Sequence, residues 1–308
     1  MYDVFGHGRM LRDRIRGDAY ARAIAATIQP NDVVIDLGCG AGVFSILAAR
    51  AGARTVYAIE ADDIIEVARE LAAANGCGEV IKFLRASSRD VTLPERANVI
   101  VFDLHGVLPL FRTALADLID VRERLLAPGG TLIPARDPLR AALVESSSTY
   151  ANYEWRDADG IDFTPLQRLA TSEVRKAYIG ASELLSPVVE AGEIDYRTIA
   201  TPDFHASLQL EATRDGVAHG VALWFDCELT NDIGFTNAPG APETLFGQSF
   251  LPFEAPVPIR AGETIVVELD AKLVNDDDYL WRWLTTLVSR DGERRELFRQ
   301  SNFFGVPL

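Results

Sequence analysis

The sequence contains little cysteine and no segment suited to a membrane. Its three cysteines, Cys39, Cys77 and Cys227, are odd in number and not spaced for metal. We therefore expect no structural zinc or other metal site, and we infer a reducing, cytoplasmic location. No apolar run is long enough to span a bilayer, and the first residues lack the basic-then-apolar pattern of a secretory signal. Membrane association is thus not expected.

Positive charge is also scarce. Aspartate and glutamate number 45 against 30 lysines and arginines, which gives a net charge of -15 over 308 residues. A surface this acidic repels phosphate backbones, so nucleic acid is not expected as a partner. A cationic or neutral substrate is compatible with the charge, although simple solubility explains it equally well.

The first part of the chain alternates short apolar runs with segments of helical periodicity. This rhythm indicates βαβ units and a parallel, Rossmann-like sheet. The predicted strands cover residues 33–37, 55–60, 80–84 and 99–102, and the predicted helices cover residues 10–29, 43–51, 64–74 and 110–126.

Near Pro134 the pattern changes to strand-like runs separated by Gly, Pro and Asp turns, such as residues 221–225 and 264–269. We therefore predict an α/β domain over residues 1–135 followed by a mainly β domain over residues 136–308. One helical segment, near residues 163–178, interrupts the second domain.

A glycine-rich loop, D-L-G-C-G-A-G at residues 36–42, follows the first strand and precedes a helix. Glycine permits a tight turn and close approach of a ligand to the backbone. Glu60 ends the next strand, where an acidic side chain can accept from ribose hydroxyls. The GxGxG spacing and the acidic Asp36 argue against a nicotinamide dinucleotide, and a tight turn without a ligand is the structural alternative.

These residues resemble the cofactor motif of class I methyltransferases, and further segments resemble protein arginine methyltransferases in particular. The segment from His7 to Arg16 is similar to that family's H-x-x-M-L-x-D-x-x-R helix, which closes over the cofactor. Residues 125–134 and 246–263 resemble the end of its methyltransferase domain and a late segment of its barrel. The resemblance implies S-adenosyl-L-methionine as cofactor, a β-barrel second domain, and a helical arm at about residues 161–180 that mediates a homodimer.

The resemblance also implies roles for individual residues. Arg16 would pair with the methionine carboxylate, as a guanidinium can. The other residues expected at the cofactor are His7, Met10, Asp36, Gly38, Gly40, Glu60 and Ser88. Asp13 would lie near the sulfonium end, although His7 and Asp13 could equally serve as ordinary helix-cap and surface residues.

The substrate-side pattern departs from the family. Arginine methyltransferases hold the guanidinium between two glutamates on a hairpin, which matches that planar cation in charge and geometry. Here Asp103 stands at the first glutamate and Arg112 at the second, where a cation would repel a guanidinium and compete for Asp103. Leu245 and Phe246 replace a His-x-Trp-like motif. These losses predict that ordinary protein arginine methylation does not occur.

The same hairpin supplies the candidate catalytic residues. His105 is a candidate general base, since histidine titrates near neutral pH, and Asp103 is a candidate orienting group or cation partner. His105 could instead only fill the family's methionine position. Trp281 and Trp283 share one face of a predicted strand and could line a pocket for a planar ligand, or simply belong to the barrel core.

We therefore expect a methyltransferase acting on a small, aromatic or heterocyclic acceptor such as an indole-type metabolite, in bacterial secondary metabolism. The alternative is methylation of arginine, free or in a peptide, by Asp103 acting alone. A non-catalytic protein that binds the cofactor is a third possibility, and the intact closing helix argues against it.

Overall fold

The computed structural model describes residues 4–155, 160–275 and 278–303. In the first part of the chain, five parallel strands form one sheet, β1 Val33–Leu37, β2 Thr55–Glu60, β3 Ile81–Arg85, β4 Ala97–Phe102 and β5 Leu126–Ile133. Their order is β3-β2-β1-β4-β5. Every residue of β1 is buried, as expected for a central strand covered by helices on both faces. The Rossmann-like sheet predicted from the alternating pattern is confirmed.

Five helices accompany this sheet, α1 Val4–Arg12, α2 Arg14–Thr27, α3 Val43–Arg50, α4 Ile64–Ala74 and α5 Ala114–Leu125. The single helix predicted over residues 10–29 is wrong, because Asp13 interrupts it with φ -72° and ψ 90°. Its side chain accepts a hydrogen bond from the Arg16 backbone N–H and so caps α2. Asp13 thus turns the chain between two helices.

The predicted start of α5 is also wrong. The helix begins at Ala114 and not at Leu110, because residues 103–113 form a loop after β4. The Pro128-Gly129-Gly130 segment does not end a helix but lies inside β5. Local periodicity did not distinguish a loop of apolar residues from the first turn of a helix.

The second part of the chain is built from antiparallel strands, β6 Arg136–Val144, β7 Arg175–Ala177, β8 Val189–Asp195, β9 Phe204–Glu211, β10 Gly216–Thr230, β11 Ile233–Thr236, β12 Gln248–Ile259, β13 Thr264–Val274, β14 Asp278–Val288 and β15 Arg294–Ser301. One sheet has the order β7-β12-β10-β6-β8, with β11 paired to β10, and the other has the order β15-β14-β13-β9. Strand β9 alternates buried and exposed residues along its whole length. The two sheets pack their buried faces together as the expected β-barrel domain.

Two short helices interrupt these strands, α6 Ser147–Tyr150 and α7 Thr164–Thr171. The helical segment predicted to extend to Tyr178 is shorter than expected, because residues 175–177 pair with β12 as β7. Leu166 and Leu169 on α7 are exposed, and so is Tyr178 after β7. The expected arm therefore consists of one short helix and a strand.

The two tryptophans of β14 belong to the core of the barrel. Trp281 and Trp283 are 7% and 3% exposed, and the indole N–H of Trp283 donates to Gln300 Oε1 at 2.9 Å. The hypothesis that they wall a planar guest is therefore wrong, and the core interpretation holds. None of the helices in the described ranges has the length and apolar character needed to cross a bilayer.

Candidate active site

The parallel sheet creates a crevice where its strand order reverses. Strand β1 pairs with both β2 and β4, and the chain moves outward from it in opposite directions. Ligands of such sheets bind beyond the carboxyl ends of the strands at this point. The glycine-rich loop after β1 and the loop beginning at Asp103 after β4 both lie at that edge.

Three glycines shape the loop after β1. Gly38, Gly40 and Gly42 have φ values of 71°, 51° and 78°, a region that residues with a side chain rarely adopt. A Cβ atom on Gly38 would lie 2.5 Å from Leu104 Cδ2, and one on Gly40 would lie 3.4 Å from His7 Cε1. Leu104 and His7 therefore pack closely against the loop, and Gly38 leaves no room there for a side chain.

Glu60, at the end of β2, holds this loop from the other side. Its Oε2 accepts from the Gly40 backbone N–H and its Oε1 from the Asp62 backbone N–H, both at 3.0 Å. A carboxylate has about four acceptor positions, so both oxygens can still accept from hydroxyl groups of a ligand. This geometry fits the expected contact with a ribose.

Asp36 lies beneath the loop with 1% of its surface exposed. Its Oδ2 accepts a hydrogen bond from the Ser45 hydroxyl at 2.6 Å. Burial outweighs this stabilising contact and raises the pKa of Asp36 to about 7. A cationic group placed near it would favour the ionised form.

Arg16 of α2 points its buried guanidinium toward the same crevice. One nitrogen forms an ion pair with Asp103 Oδ2, and Nη2 donates to the Met10 carbonyl at 3.1 Å. The Nε–H is buried and has no hydrogen-bond partner among the described residues. An unsatisfied buried donor is costly, so a ligand carboxylate at this place fits the site.

The remaining residues expected at the cofactor also lie on elements that border the crevice. Ser88 begins a single 3₁₀ turn after β3, is buried, and accepts through its carbonyl from Arg124 at 3.0 Å. Asp13, besides capping α2, accepts from the Leu245 backbone N–H at 2.8 Å. Leu245 therefore connects a barrel loop to the junction of the two N-terminal helices.

His105 is placed differently from a general base. Its Nδ1 lies 2.9 Å from Asp103 Oδ1 and its Nε2 lies 2.6 Å from Asp137 Oδ2. Burial alone would lower the pKa of His105, but the two carboxylates outweigh it and raise the pKa to about 10. A protonated ring cannot accept a proton near neutral pH, so these surroundings argue against the base role of His105, which stays a prediction.

Asp103 is the ionised acid of the site. Burial would raise its pKa, but Arg16 and His105 together hold the pKa of this carboxyl below its usual value. Its side chain retains 12% exposure. Asp103 can therefore act as an acceptor and as a partner for a cation.

Arg112 does not compete for Asp103, which corrects the expectation drawn from its position in the sequence. The residue is exposed, adopts φ 45°, and lies with its guanidinium carbon 5.4 Å from the Phe111 ring centre. Among the described residues, the ion-pair partner of Asp103 is Arg16, besides its contact with His105. The predicted competition of Arg112 for Asp103 is therefore wrong.

Sequence reasoning missed two residues of the site, Asp137 and Tyr196. Asp137 is fully buried on β6, and its Oδ2 accepts from the Tyr196 hydroxyl as well as facing His105. An aspartate within an apolar strand was the available signal.

Cys227 brings a third potential metal-ligand atom within 4.8 Å of those of His105 and Asp137. The hydrogen bonds of His105 and Asp137 already account for the placement of these two side chains.

Comparison with protein families matches residues 139–286 to the arginine methyltransferase oligomerization subdomain and residues 21–135 to ribosomal protein L11 methyltransferase. Protein arginine N-methyltransferase 1 of Saccharomyces cerevisiae is 30% identical over 285 residues, which cover 87% of this chain and 81% of the yeast protein. Probable protein arginine N-methyltransferase 6 of Arabidopsis thaliana is 32% identical over 235 residues, covering 73% of this chain and 54% of that protein.

Solved structures show the same fold. The PRMT1 enzyme–prozyme heterotetrameric complex of Trypanosoma brucei with AdoHcy has a TM-score of 0.85 at 23% identity, covering 96% of this chain and 97% of that chain. Protein arginine methyltransferase 10 of Arabidopsis thaliana, in an open conformation, has a TM-score of 0.84 at 21% identity and 98% coverage of both chains.

Proposed function

Because the chain belongs to the protein arginine methyltransferase family and uses S-adenosyl-L-methionine as its cofactor, we propose that it methylates a guanidinium nitrogen of arginine. The observation that carries this proposal is the ionised, partly exposed Asp103 in the crevice, paired with Arg16. Arginine within a protein or peptide is the proposed substrate, as the names of the relatives suggest.

The expectation of a small aromatic acceptor is wrong. The relatives of this chain are named protein arginine N-methyltransferases, which favours the alternative of arginine methylation. Two of the observations behind that expectation also fail in the structure, since exposed Arg112 lies against Phe111 while Asp103 pairs with Arg16, and the tryptophans of β14 are core residues. The suggested place in secondary metabolism rested on that expectation and is not proposed.

The cofactor is proposed to lie along the glycine-rich loop. The turn made by Gly38 and Gly40 with positive φ would let the backbone approach it, Glu60 would accept from its ribose, and Arg16 would meet its carboxylate. Four further residues are proposed at its edges, His7, Met10, Asp36 and Ser88. When bound, the cofactor would supply a methyl group on a sulfonium sulfur, and breaking of that carbon–sulfur bond would leave S-adenosylhomocysteine.

Asp103 is proposed to hold the substrate. Arg16 and His105 each use one acceptor position of its carboxylate, which leaves positions on both oxygens for two N–H groups of a guanidinium. Charge and bidentate geometry would orient the reacting nitrogen, and placement of the nucleophile is the main requirement of such a transfer. The methylated nitrogen then loses its proton to water, without a base from His105.

The overall charge supports a cationic substrate. A net charge of -15 creates a field that attracts arginine-rich segments from a distance. The exposed carboxylates would accelerate encounter with such a peptide, and this effect would weaken as salt is added.

A homodimer is proposed for the assembly. The matched oligomerization subdomain includes α7, on which Leu166 and Leu169 are 49% and 40% exposed. Neighbouring apolar side chains left in water usually mark a contact surface. Docking of this arm on the cofactor domain of a second copy would cover them.

The division into domains at residue 135 and the cytoplasmic location also remain proposals, the latter supported by three free cysteines.

The test is methyl transfer from labelled cofactor to arginine peptides, free arginine and matched lysine peptides, with the modified residue identified by mass spectrometry. Methylarginine should form in the peptides, and Asp103→Asn should reduce turnover by roughly 100-fold because it removes the charged partner. Asp270→Asn, a change of an exposed carboxylate on the outer sheet, serves as control and should retain activity. Absence of methylarginine from all arginine substrates would refute the proposal.

A further inference from the structure

A buried row of alternating charges crosses from the cofactor domain to the barrel. Arg16 contacts Asp103, Asp103 contacts His105, and His105 contacts Asp137. The first three residues belong to α2 and the loop after β4, whereas Asp137 belongs to β6. The row contains two cations and two anions, so each buried charge has an opposite neighbour.

The geometry of its contacts favours protonation of His105 on both nitrogens. Each nitrogen faces a carboxylate oxygen, at 2.9 Å and 2.6 Å, and a neutral imidazole has only one N–H to donate. The ring stacks on Phe225 at 4.9 Å between centres and meets the edge of Phe246 at 5.8 Å. A ring packed in this way, with a side chain 1% exposed, stays in place.

Asp137 attaches this ring to the barrel. Its Oδ2 receives both the His105 N–H and the Tyr196 hydroxyl, and its Oδ1 has no partner among the described residues. Strand β6 pairs with β10 on one side and β8 on the other, so Asp137 lies on an interior strand of the barrel sheet. Movement of His105 would therefore leave a buried carboxylate without its cation.

We infer that His105 is a positioning residue, a permanent imidazolium anchored by Asp137 and Tyr196, that fixes the Asp103 carboxylate in the orientation which receives the substrate guanidinium. The inference rests on the proposed function for the identity of the substrate. The barrel domain thereby helps to hold the carboxylate that binds the substrate, through residues that contact neither substrate nor cofactor.

The groups that face His105 directly are two carboxylates and neutral hydroxyl or thiol groups, and the cation Arg16 is separated from it by Asp103. The titratable and charged side chains around it, directly or through Asp103, are Asp103, Asp137, Tyr196, Cys227, Tyr20 and Arg16. Burial raises the pKa of the Tyr196 hydroxyl well above its ordinary value, so this group remains a neutral donor to Asp137.

The charge of His105 can be measured directly in the intact wild-type protein. Nitrogen-15 chemical shifts of the imidazole ring distinguish the cation from both neutral tautomers. The His105 ring should stay protonated to about pH 9, while buried His219, whose pKa burial lowers, should be neutral at pH 7.5 or above. A neutral His105 at about pH 8 would overturn the inference regardless of enzymatic activity.

The positioning role is tested by Asp137→Asn, an isosteric change that removes the anchoring charge. The pKa of His105 should fall, so that KM for an arginine peptide rises about tenfold between about pH 7 and pH 9, while kcat changes less. The wild-type KM should stay flat over this range. Asp226→Asn, which removes a carboxylate paired with Arg140 on the same sheet, is the matched control and should behave like the wild type.

An unchanged KM for Asp137→Asn over this pH range would overturn the positioning role. Should this variant not fold, His105→Met combined with Asp137→Ala replaces it, because the double change leaves no unpaired charge. The double variant should fold and bind S-adenosylhomocysteine within about twofold of the wild type but show a KM raised at every pH. Wild-type activity on lysine but not arginine would refute the proposed function alone, and the nitrogen-15 shifts would still decide the state of His105.

Discussion

Asp36→Asn should stabilise the protein increasingly as the pH rises. The folded protein raises the pKa of Asp36 from 3.8 to about 7, chiefly by burial. A carboxyl with a raised folded pKa contributes stability that is fully present below the unfolded pKa and is lost as the pH rises through the folded value. The cost of ionising buried Asp36 is therefore incurred between about pH 4 and pH 7, and asparagine cannot ionise.

The size of the effect follows from the shift. About three pKa units correspond to about 4 kcal/mol in the free energy of unfolding over the full window. Asparagine retains an oxygen that can accept from the Ser45 hydroxyl, which lies 2.6 Å from Asp36 Oδ2, so little else should change.

Urea unfolding of the ligand-free protein at several pH values between about pH 4.5 and pH 8 measures this difference. The stability of Asp36→Asn relative to the wild type should grow with pH, whereas Asp270→Asn, at an exposed position, should run parallel to the wild type. His105 contributes in a separate window, since its raised pKa of about 10 gives stability that is lost only between about pH 6.5 and pH 10. A constant difference between Asp36→Asn and the wild type would refute the reasoning.

Three further predictions concern ligand binding, assembly and substrate. Glu60→Ala should weaken S-adenosylhomocysteine binding by roughly 1–3 kcal/mol in calorimetry, since charged hydrogen bonds are lost, and unaltered affinity would contradict the ribose contact. Leu166→Asp combined with Leu169→Asp should yield monomers by light scattering at micromolar concentration, whereas Val188→Asp, also at an exposed position, should leave a dimer; a wild-type monomer would end the dimer proposal. Arg112→Ala should alter methylation of an arginine peptide by no more than about twofold, because the side chain is exposed, and a large change would show that it does reach the substrate.

Local features of the site could be predicted from the sequence because they depend on residues close together in the chain. The loop over residues 36–42 follows a buried strand, and its glycines adopt the positive φ values that their type favours. The bounds of α4, Ile64–Ala74, match the prediction, because a regular apolar pattern ends at Asn75. The position of Glu60 at the end of β2 could be predicted because the strand itself was recognisable.

The roles of the substrate-side residues could not be predicted in the same way. Arg112 was judged by its position along a hairpin, but its direction depends on Phe111 and a backbone φ of 45°. The two tryptophans of β14 share a face, as their spacing requires, yet only the packing of two sheets determined that this face is the barrel core.

The sequence by itself determined the class of fold, the glycine-rich loop and the helix that follows it, since each rests on local patterns of apolar and glycine residues. Only the tertiary structure shows which groups surround His105. Its partners Asp137 and Tyr196 lie 32 and 91 positions away along the chain and reach it through the pairing of barrel strands. Whether a buried histidine is a neutral base or a fixed cation depends on the charges that surround it in space, which local sequence patterns do not encode.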